Sequence, residues 1–390
     1  MSFRARHYPF PPNTARLATG MRRFEIIIIG GGISGLGVAA RSCQLGLSPL
    51  LLEAKSVAAA TSNNTLRIIH GGFRYLQQLN LPRVIRSLND QTKILSRFGD
   101  AVAPLPCLMP LSARGLKSKP FVAVAALSYG AIMKLNSSPL PAPKVLSQAE
   151  LKTIAPELAP HAPNGALLWH DVVMRAPLKL AHALTQEISQ SGGETREHSP
   201  VAAISKDSDG FQITLTSGEI LSAKRVVTTL GPWLDTIQIP SNLRGIRPKW
   251  CLGFNLVSSR QLHPTHAIAV QSRDGRLFFC VPRGSGTAIG TWYVSAQAPD
   301  SLTPSSPSEQ EIASFLESFN KAYYGPGIKR DEIASIDYGL LPARGDSPTG
   351  PVLYGEELLH QSSGYCEVLS TKYTTFSSQA ERVLRALRGE

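Results

Sequence analysis

The chain has 390 residues, of which 43% are hydrophobic, and its 40 lysine and arginine residues outnumber its 28 acidic residues. This composition supports a large core and indicates two structural lobes. No run of lysine and arginine carries interleaved aromatic residues, so nucleic acid is not an expected partner. The net charge of +12 leaves an anionic substrate, an acidic membrane surface and a merely solvated surface as alternatives.

The longest apolar stretch, residues 121–133, is too short to cross a bilayer. We predict a buried helix there, with an interfacial helix and peripheral membrane contact as the alternative. Residues 1–23 contain arginines but no acid, and we predict a poorly ordered extension; a targeting segment and a start at Met21 are alternatives. The five cysteines are scattered and form no C-x-x-C pair, which indicates a reduced, cytoplasmic location and no metal site.

The first predicted element is an apolar strand, residues 26–29, that leads directly into the pattern Gly30-x-Gly32-x-x-Gly35. A second apolar run ends at Glu53, about twenty residues later. This context is typical of a dinucleotide-binding unit; a glycine-rich turn without a ligand is the alternative. Gly30 is expected to make the tight turn, Gly32 to let the backbone approach a pyrophosphate, and Glu53 to accept hydrogen bonds from a ribose.

Further along the chain, apolar residues at helical spacing predict helices at 81–98, 147–156, 177–189 and 308–323, and a last helix after Thr375. Alternating apolar residues predict strands at 201–204, 211–215 and 225–230, and a meander of strands over 247–294. The predicted fold class is α/β, with a doubly wound Rossmann-type domain and a mixed, β-rich substrate domain.

The predicted nucleotide-binding domain is discontinuous, because the chain leaves it and returns at its end. It comprises residues 24–80, 145–240 and 340–390, and the predicted substrate domain comprises residues 81–144 and 241–339.

Several blocks of the chain resemble one known family. Residues 61–76 read TSNNTLRIIHGGFRYL and resemble the second flavin segment of FAD-dependent glycerol-3-phosphate dehydrogenases, within the D-amino-acid-oxidase-like (DAO) flavoprotein superfamily. Residues 231–233 resemble the third flavin segment of that family, residues 274–282 and 289–291 resemble its substrate-lobe strands, and residues 372–376 resemble its closing element. The blocks keep the order and spacing of the family over nearly the whole chain.

The resemblance implies that the bound dinucleotide is FAD. The candidate FAD-binding residues are Gly30, Gly32, Ile33, Ser34, Gly35, Glu53, Ala54, Thr61, Ser62, His70, Val201, Gly231, Trp233, Lys372, Thr374 and Thr375. The positive end of the last helix would face the flavin and stabilise the negative charge that develops on reduction. A plain N-terminal cap made by Thr374 and Thr375 is the alternative.

The resemblance also implies four catalytic candidates. His70 is expected to act as a base or an orienting group, since histidine titrates near neutral pH; a structural histidine is the alternative. Arg74 is expected to bind a phosphate or carboxylate, with an exposed arginine as the alternative, and Lys372 to touch the flavin or the substrate. Leu341 stands where the family has a substrate-binding arginine; Arg344 is the candidate to replace that arginine, with a surface charge as the alternative.

These features together predict a FAD-dependent oxidoreductase that transfers a hydride from a small, anionic, hydroxylated substrate to the flavin. An amine or amino-acid oxidase of the same superfamily and a catalytically silent flavoprotein are the alternatives. Quinone and oxygen are the two candidate electron acceptors, and the use of quinone would require contact with a membrane.

Overall fold

A computed structural model describes residues 23–76, 80–299, 302, 304–348 and 350–389. Residues 1–22 of the predicted extension lie outside the described residues, and Arg23 begins the first strand. The described helices are α1 (Ile33–Gln44), α2 (Phe73–Leu76), α3 (Leu81–Arg97), α4 (Lys119–Leu135), α5 (Gln148–Ile154), α6 (Pro177–Gln190), α7 (Glu309–Ala322) and α8 (Phe376–Arg388).

The described strands form three sheets. In chain order they are β1 (Arg23–Phe24), β2 (Ile27–Ile29), β3 (Leu50–Leu52), β4 (Ile68–Ile69), β5 (Val102–Pro110), β6 (Lys144–Leu146), β7 (Ala166–Met174), β8 (Glu194–Arg196), β9 (Val201–Lys206), β10 (Phe211–Leu215), β11 (Ile220–Ala223), β12 (Val226–Thr228), β13 (Lys249–Ser258), β14 (Ala267–Gln271), β15 (Leu277–Arg283), β16 (Gly286–Ala296), β17 (Ile333–Ser347), β18 (Gly350–Leu353), β19 (Leu358–Ser362) and β20 (Tyr365–Leu369).

A six-stranded sheet in the order β19-β20-β12-β2-β3-β8 carries the glycine motif. Its strands are parallel except for β19, and α1 connects β2 to β3 as the sequence predicts. The strands β2 and β3 are buried on both faces, which is why they read as continuous apolar runs. Ile28 and Leu51 share a core with α1, α6 and α8, whereas Ile27 and Leu50 share one with the four-stranded sheet β1-β11-β10-β9.

A ten-stranded sheet makes up the second, β-rich part of the fold. Its order is β18-β17-β13-β16-β15-β14-β5-β7-β4, and β6 pairs with β7. The predicted meander over 247–294 is correct for β14, β15 and β16 but wrong for β13, which pairs with β16 and β17. Phe315 of α7 stacks on Phe278 and Trp292 and seals one face of this sheet. The mixed α/β fold class with a β-rich substrate part is therefore confirmed.

The boundaries of the two predicted domains stay a prediction. The ten-stranded sheet contains β4, β7, β18 and the end of β17, which belong to predicted cofactor-binding segments, beside strands of the predicted substrate segments. The two parts consequently share this sheet, and the cavities beside it are lined by residues from both.

Helix α4 corrects the prediction of a buried helix at 121–133. Its inner face is buried through Val122, Ala126, Tyr129 and Met133, but its outer face is open to solvent. The buried helix was preferred over the interfacial alternative because composition alone does not distinguish the two faces of a helix. Within the described residues, no helix is both long enough and apolar enough to cross a bilayer.

Candidate active site

Two adjoining cavities lie at the carboxyl ends of the parallel strands. The first has a volume of about 570 Å³ and follows the ends of β2, β3 and β20, where ligands commonly bind in open α/β sheets. The second has a volume of about 720 Å³ and lies over the ten-stranded sheet. Both cavities are lined by Thr61, Asn64, Thr65, Leu341, Thr371, Lys372 and Tyr373. A ligand in the first cavity would therefore contact a ligand in the second at these residues.

The three motif positions require glycine for different structural reasons. Gly30 has a φ of +108°, and a Cβ there would lie 2.6 Å from the carbonyl oxygen of Thr229. A Cβ on Gly35 would lie 1.9 Å from the carbonyl oxygen of Gly30, so Gly35 is required by the turn itself. A Cβ on Gly32 would meet only Ser62 Oγ, at 3.3 Å, and Gly32 lines the first cavity. Gly32 therefore leaves room for a ligand, whereas Gly30 and Gly35 shape the backbone.

The N-terminus of α1 opens into the first cavity without a capping side chain. Gly32 occupies the N-cap position without a side-chain cap, and the first turn contains no acid. The amide of Ile33 donates to Ser62 Oγ over 3.0 Å, which ties the polar loop to the helix end. This arrangement suits a pyrophosphate, which would accept from the remaining amides and lie at the positive end of the helix dipole.

Glu53 lies at the end of β3 on the wall of the first cavity. Its Oε2 accepts from the amide of Gly31 over 2.6 Å, and its Oε1 accepts from the amide of Lys55 over 2.8 Å. Two backbone amides thus fix the carboxylate beside the glycine turn.

Most of the predicted cofactor residues line this first cavity. They are Gly30, Gly32, Ile33, Ser34, Glu53, Ala54, Thr61, Ser62, Val201, Gly231, Trp233 and Lys372.

Two buried hydroxyl groups lie where the cavities meet. Thr61 Oγ1 and Tyr373 Oη have no hydrogen-bond partner among the described residues, and both side chains line both cavities. A buried hydroxyl without a partner costs free energy, so these atoms fit a polar ligand that spans the junction. Burial also raises the pKa of the Tyr373 phenol, which keeps it a neutral donor. Tyr373 was not among the predicted site residues, although it lies inside the closing block.

Thr374 and Thr375 line the second cavity and precede α8. Thr375 is the N-cap by position, but its side chain makes no capping hydrogen bond, and the first turn of α8 contains no acid. The side chain of Thr375 therefore does not act as the plain N-terminal cap that was the alternative. The positive end of a second helix is available to a ligand in the second cavity.

His70 follows β4 and is held by a buried carboxylate. Its Nδ1 lies 2.9 Å from Asp171 Oδ2 on β7, and its ring lies 5.3 Å from the ring of Phe279. Asp171 also accepts from the amide of Gly71 over 2.8 Å and from Trp169 Nε1 over 3.2 Å. Burial alone would raise the pKa of Asp171, but the charge and hydrogen bond of His70, with these donors, hold it below its usual range.

The pairing fixes which nitrogen of His70 faces the cavity. Nδ1–H donates to the carboxylate, so Nε2 is the nitrogen left to accept a proton. The side chain of His70 is 40% exposed, and that of Asp171 is 3% exposed. Asp171 was missed by sequence reasoning. The available signal was a lone acid inside an apolar strand, where a charge is expected to have a partner.

The remaining catalytic candidates lie in different places. Lys372 lines both cavities and lies 5.3 Å from the centre of the Tyr75 ring. Arg344 is exposed and lines neither cavity. The last residue of β17 that lines a cavity is Pro342, two residues before Arg344. The expected replacement of the family arginine by Arg344 therefore has no geometric support. Arg74 lies in α2, but its side chain lies outside the described residues.

Residues 25–366 match the family described as DAO, FAD dependent oxidoreductase, which covers well over half of the chain. This chain belongs to the DAO family of FAD-dependent oxidoreductases. The membership confirms FAD as the cofactor and oxidoreductase as the enzyme class. The roles of individual residues in this DAO-family chain stay predictions.

Named relatives of this DAO-family chain include a glycerol-3-phosphate dehydrogenase from Mycobacterium leprae, which is 26% identical over 383 residues. That match covers 94% of this chain and 63% of the relative, so the chain spans less than two thirds of its length. A solved glycerol-3-phosphate dehydrogenase from Bacillus halodurans, complexed with FAD, is similar with a TM-score of 0.69 at 19% identity, over 94% of this chain and 64% of that one. Glycine oxidase from Geobacillus kaustophilus is similar with a TM-score of 0.65 at 16% identity, and the match covers 94% of this chain and 95% of that one.

Proposed function

We propose that this flavoprotein oxidises a small, anionic, hydroxylated substrate, in the manner its dehydrogenase relatives suggest. The observation that carries the proposal is the pair formed by His70 and Asp171, which lies in a cavity continuous with the cofactor cavity. Bound FAD would accept the two electrons that leave the substrate carbon. The chain would supply the groups that hold the cofactor, bind the anion and move one proton.

The proton of the substrate hydroxyl would pass to His70 Nε2. Nδ1–H would continue to donate to Asp171, whose carboxylate would stabilise the imidazolium as it forms. Gly71, Trp169 and Gln91 all donate to the same carboxylate, so Asp171 stays charged while His70 changes its protonation state. The ring of Phe279 limits the positions open to the imidazole on one side.

The charge around the second cavity supports an anionic substrate. Among the described residues that line it, the cations are Arg67, Arg83, Lys117 and Lys372, and the acid is Asp171. These four cations outnumber the single carboxylate, so the cavity wall is positive as a whole. A phosphate or carboxylate on the substrate would offset this charge.

Anaerobic titration of the purified protein with sn-glycerol 3-phosphate, glycerol, 2-hydroxy acids and the matching amines tests the proposal. We expect the flavin absorbance near 450 nm to bleach with one of the anionic hydroxy compounds and not with glycerol. Bleaching by the amines alone would contradict the proposal and would indicate an amine or amino-acid oxidase. A flavin that no compound reduces, while dithionite does, would support the catalytically silent alternative.

An amine or amino-acid oxidase is the second candidate. Leu341 lines both cavities at the position where the dehydrogenase family has its substrate-binding arginine. This replacement removes a phosphate-binding group from the junction, and the likeness to glycine oxidase supports the same direction. The variant Leu341→Arg, compared with Leu341→Met as a size-matched control, would distinguish the two classes. Faster reduction by sn-glycerol 3-phosphate in Leu341→Arg alone would support a dehydrogenase-like pocket.

The electron acceptor is proposed to be either a quinone or oxygen. The two are separated by mixing the substrate-reduced protein with air-saturated buffer or, anaerobically, with a soluble ubiquinone analogue. Faster reoxidation by the quinone would assign a dehydrogenase, and faster reoxidation by oxygen would assign an oxidase.

A further inference from the structure

Helix α4 exposes a continuous apolar surface, which we call its outer face and define by Phe121, Val124, Leu127 and Leu135. Their exposed fractions are 58%, 65%, 77% and 84%. At 3.6 residues per turn these four side chains fall within an arc of about 120°. Five of the twelve exposed large hydrophobic residues in the described part of the chain lie between positions 116 and 135. The exposure is thus concentrated on one helix instead of being scattered over the surface.

The opposite face of α4 anchors the helix to the protein. Val122, Ala126, Tyr129 and Met133 are buried, and the ring of Tyr129 packs edge-on against Phe73 at 5.1 Å. A helix that is apolar on both faces is expected to be covered on both faces. Because the inner face fixes the rotation of α4, the outer face points away from the core in the folded chain.

The segment that contains α4 carries only positive charges. The sequence contains no aspartate or glutamate from residue 101 to residue 149. Arg114, Lys119 and Lys134 are exposed in this segment, and none of them forms an ion pair with a carboxylate in the described structure. An apolar helical face bordered by unpaired cations has the composition of a helix that lies in the headgroup region of an anionic bilayer.

We propose that the outer face of α4 binds the surface of an anionic lipid bilayer, with the helix parallel to the membrane plane. A second copy of this chain is the competing occupant. A symmetric contact between two outer faces would bring Arg114, Lys119 and Lys134 of both copies together, with no acid in the segment to offset them. Anionic phospholipid headgroups supply the missing charge, and the acyl boundary accepts the four apolar side chains.

The proposed surface lies close to the second cavity. Lys117, two residues before α4, lines that cavity. A Cβ built on Gly71, next to His70, would lie 2.3 Å from the hydroxyl of Tyr129 on the inner face of α4. The membrane would therefore lie on the side of the protein where α4 covers the substrate site. The proposal goes beyond the redox activity and does not depend on it.

Cosedimentation of the full chain with lipid vesicles tests the proposal. The vesicles contain either phosphatidylcholine alone or phosphatidylcholine with phosphatidylglycerol, and the protein in the pellet is measured on gels. We expect binding to the anionic vesicles only. Lys119→Gln and Lys134→Gln are each expected to weaken binding by about fivefold, and 0.5 M salt is expected to reduce it further. Because binding is measured as protein, the result is independent of flavin reduction.

The variant Leu127→Glu tests the apolar face directly. The side chain of Leu127 is 77% exposed, so this variant is expected to keep the parental Tm and to lose vesicle binding. The matched control is Ile220→Glu, because Ile220 is 46% exposed but lies on β11 of the four-stranded sheet. Equal binding of both variants, or no binding of the parental chain, would overturn the proposal. A parental dimer that Leu127→Glu dissociates, without vesicle binding, would assign the face to a second copy.

Discussion

Asp171 shows how one buried carboxylate prepares a histidine for proton transfer. It is inaccessible to solvent, yet its pKa stays below the usual range because His70, Gly71 and Trp169 all stabilise the charged form against the cost of burial. A carboxylate kept charged in this way selects the tautomer of His70. Removing the charge should change the chemistry more than the fold.

We therefore expect Asp171→Asn to slow flavin reduction about a hundredfold, because the neutral amide no longer stabilises the imidazolium. The rate is measured by anaerobic stopped flow with the compound that reduces the parental flavin fastest. His70→Gln and the double variant complete a mutant cycle. The double variant should be about as slow as His70→Gln alone, since Asp171 acts through His70. Additive losses would show that Asp171 acts independently of His70.

Gly32 differs from Gly30 and Gly35 because the absence of its Cβ leaves space for the ligand, whereas a Cβ on the other two would collide with the backbone. A Cβ at this position meets no backbone atom within 4 Å, outside its two chain neighbours. We expect Gly32→Ala to fold normally and to be purified with much less FAD, because the methyl group would occupy the space of the pyrophosphate. The ratio of flavin to protein absorbance measures the loss. Gly345→Ala is the control, since a Cβ on Gly345 has nothing within 4 Å, and it should keep its FAD.

At the scale of elements, α3 and α8 meet through a buried acid. Asp90 of α3 is 1% exposed, and its Oδ2 accepts from the hydroxyl of Ser378 on α8 over 2.6 Å. Burial raises the pKa of Asp90 from 3.8 to about 6, although Ser378, Lys93 and Arg382 all favour the charged form. Burying the charged carboxylate of Asp90 between the two helices therefore lowers the free energy of unfolding, because the charged group is more stable in water.

This cost has a definite pH dependence. The folded state holds the Asp90 proton more tightly than the unfolded state, so stability falls as the pH rises from about 4 to about 6. We expect Asp90→Asn to raise the free energy of unfolding at pH 7.5, by at most about 3 kcal/mol, and the gain to shrink at pH 4.5. Urea unfolding at the two pH values measures it. Asp100→Asn changes an exposed acid and should show no such pH-dependent gain.

Several elements were predictable from the sequence because their signals are local. The last helix was predicted to begin after Thr375, and α8 begins at Phe376. The helix predicted over 147–156 is α5, where Ser147 and Glu150 form a capping box. Strand β13 was placed incorrectly because its pairing with β17, 75 to 94 residues away, leaves no local mark. The sequence left a buried and an interfacial helix open at α4, since the exposure of its outer face depends on what packs against the helix.

At the scale of the whole molecule, the first cavity joins four distant parts of the chain. The glycine turn, the polar loop at Thr61, the strand at Val201 and the segment at Lys372 all contribute to its wall. A ligand that contacts all four would tie the polar loop and the C-terminal segment to the six-stranded sheet. FAD is therefore expected to stabilise the whole fold and not only its own pocket.

We expect removal of FAD to lower the Tm, and re-addition at a hundred times its Kd to restore about 2.7 kcal/mol of stability. Differential scanning calorimetry of the holo, apo and reconstituted protein measures the effect. FMN at the same concentration as FAD is the control ligand, because it lacks the adenosine that the wall at Glu53 and Val201 would contact. An equal gain with FMN would mean that the adenosine half of the cavity contributes nothing.

The amino-acid sequence by itself determined the features that a few neighbouring residues encode. These are the glycine turn, the bounds of most helices and the motif blocks that indicated FAD. Only the tertiary structure decided that Asp171 holds His70 from 101 residues away, that Thr61 and Tyr373 share the junction of two cavities, and that Arg344 lines neither cavity. The physical reason is that backbone propensity and hydrophobic periodicity act over one or two turns. A side chain's partner across a sheet depends on strand order and register, which are decided when distant segments pack.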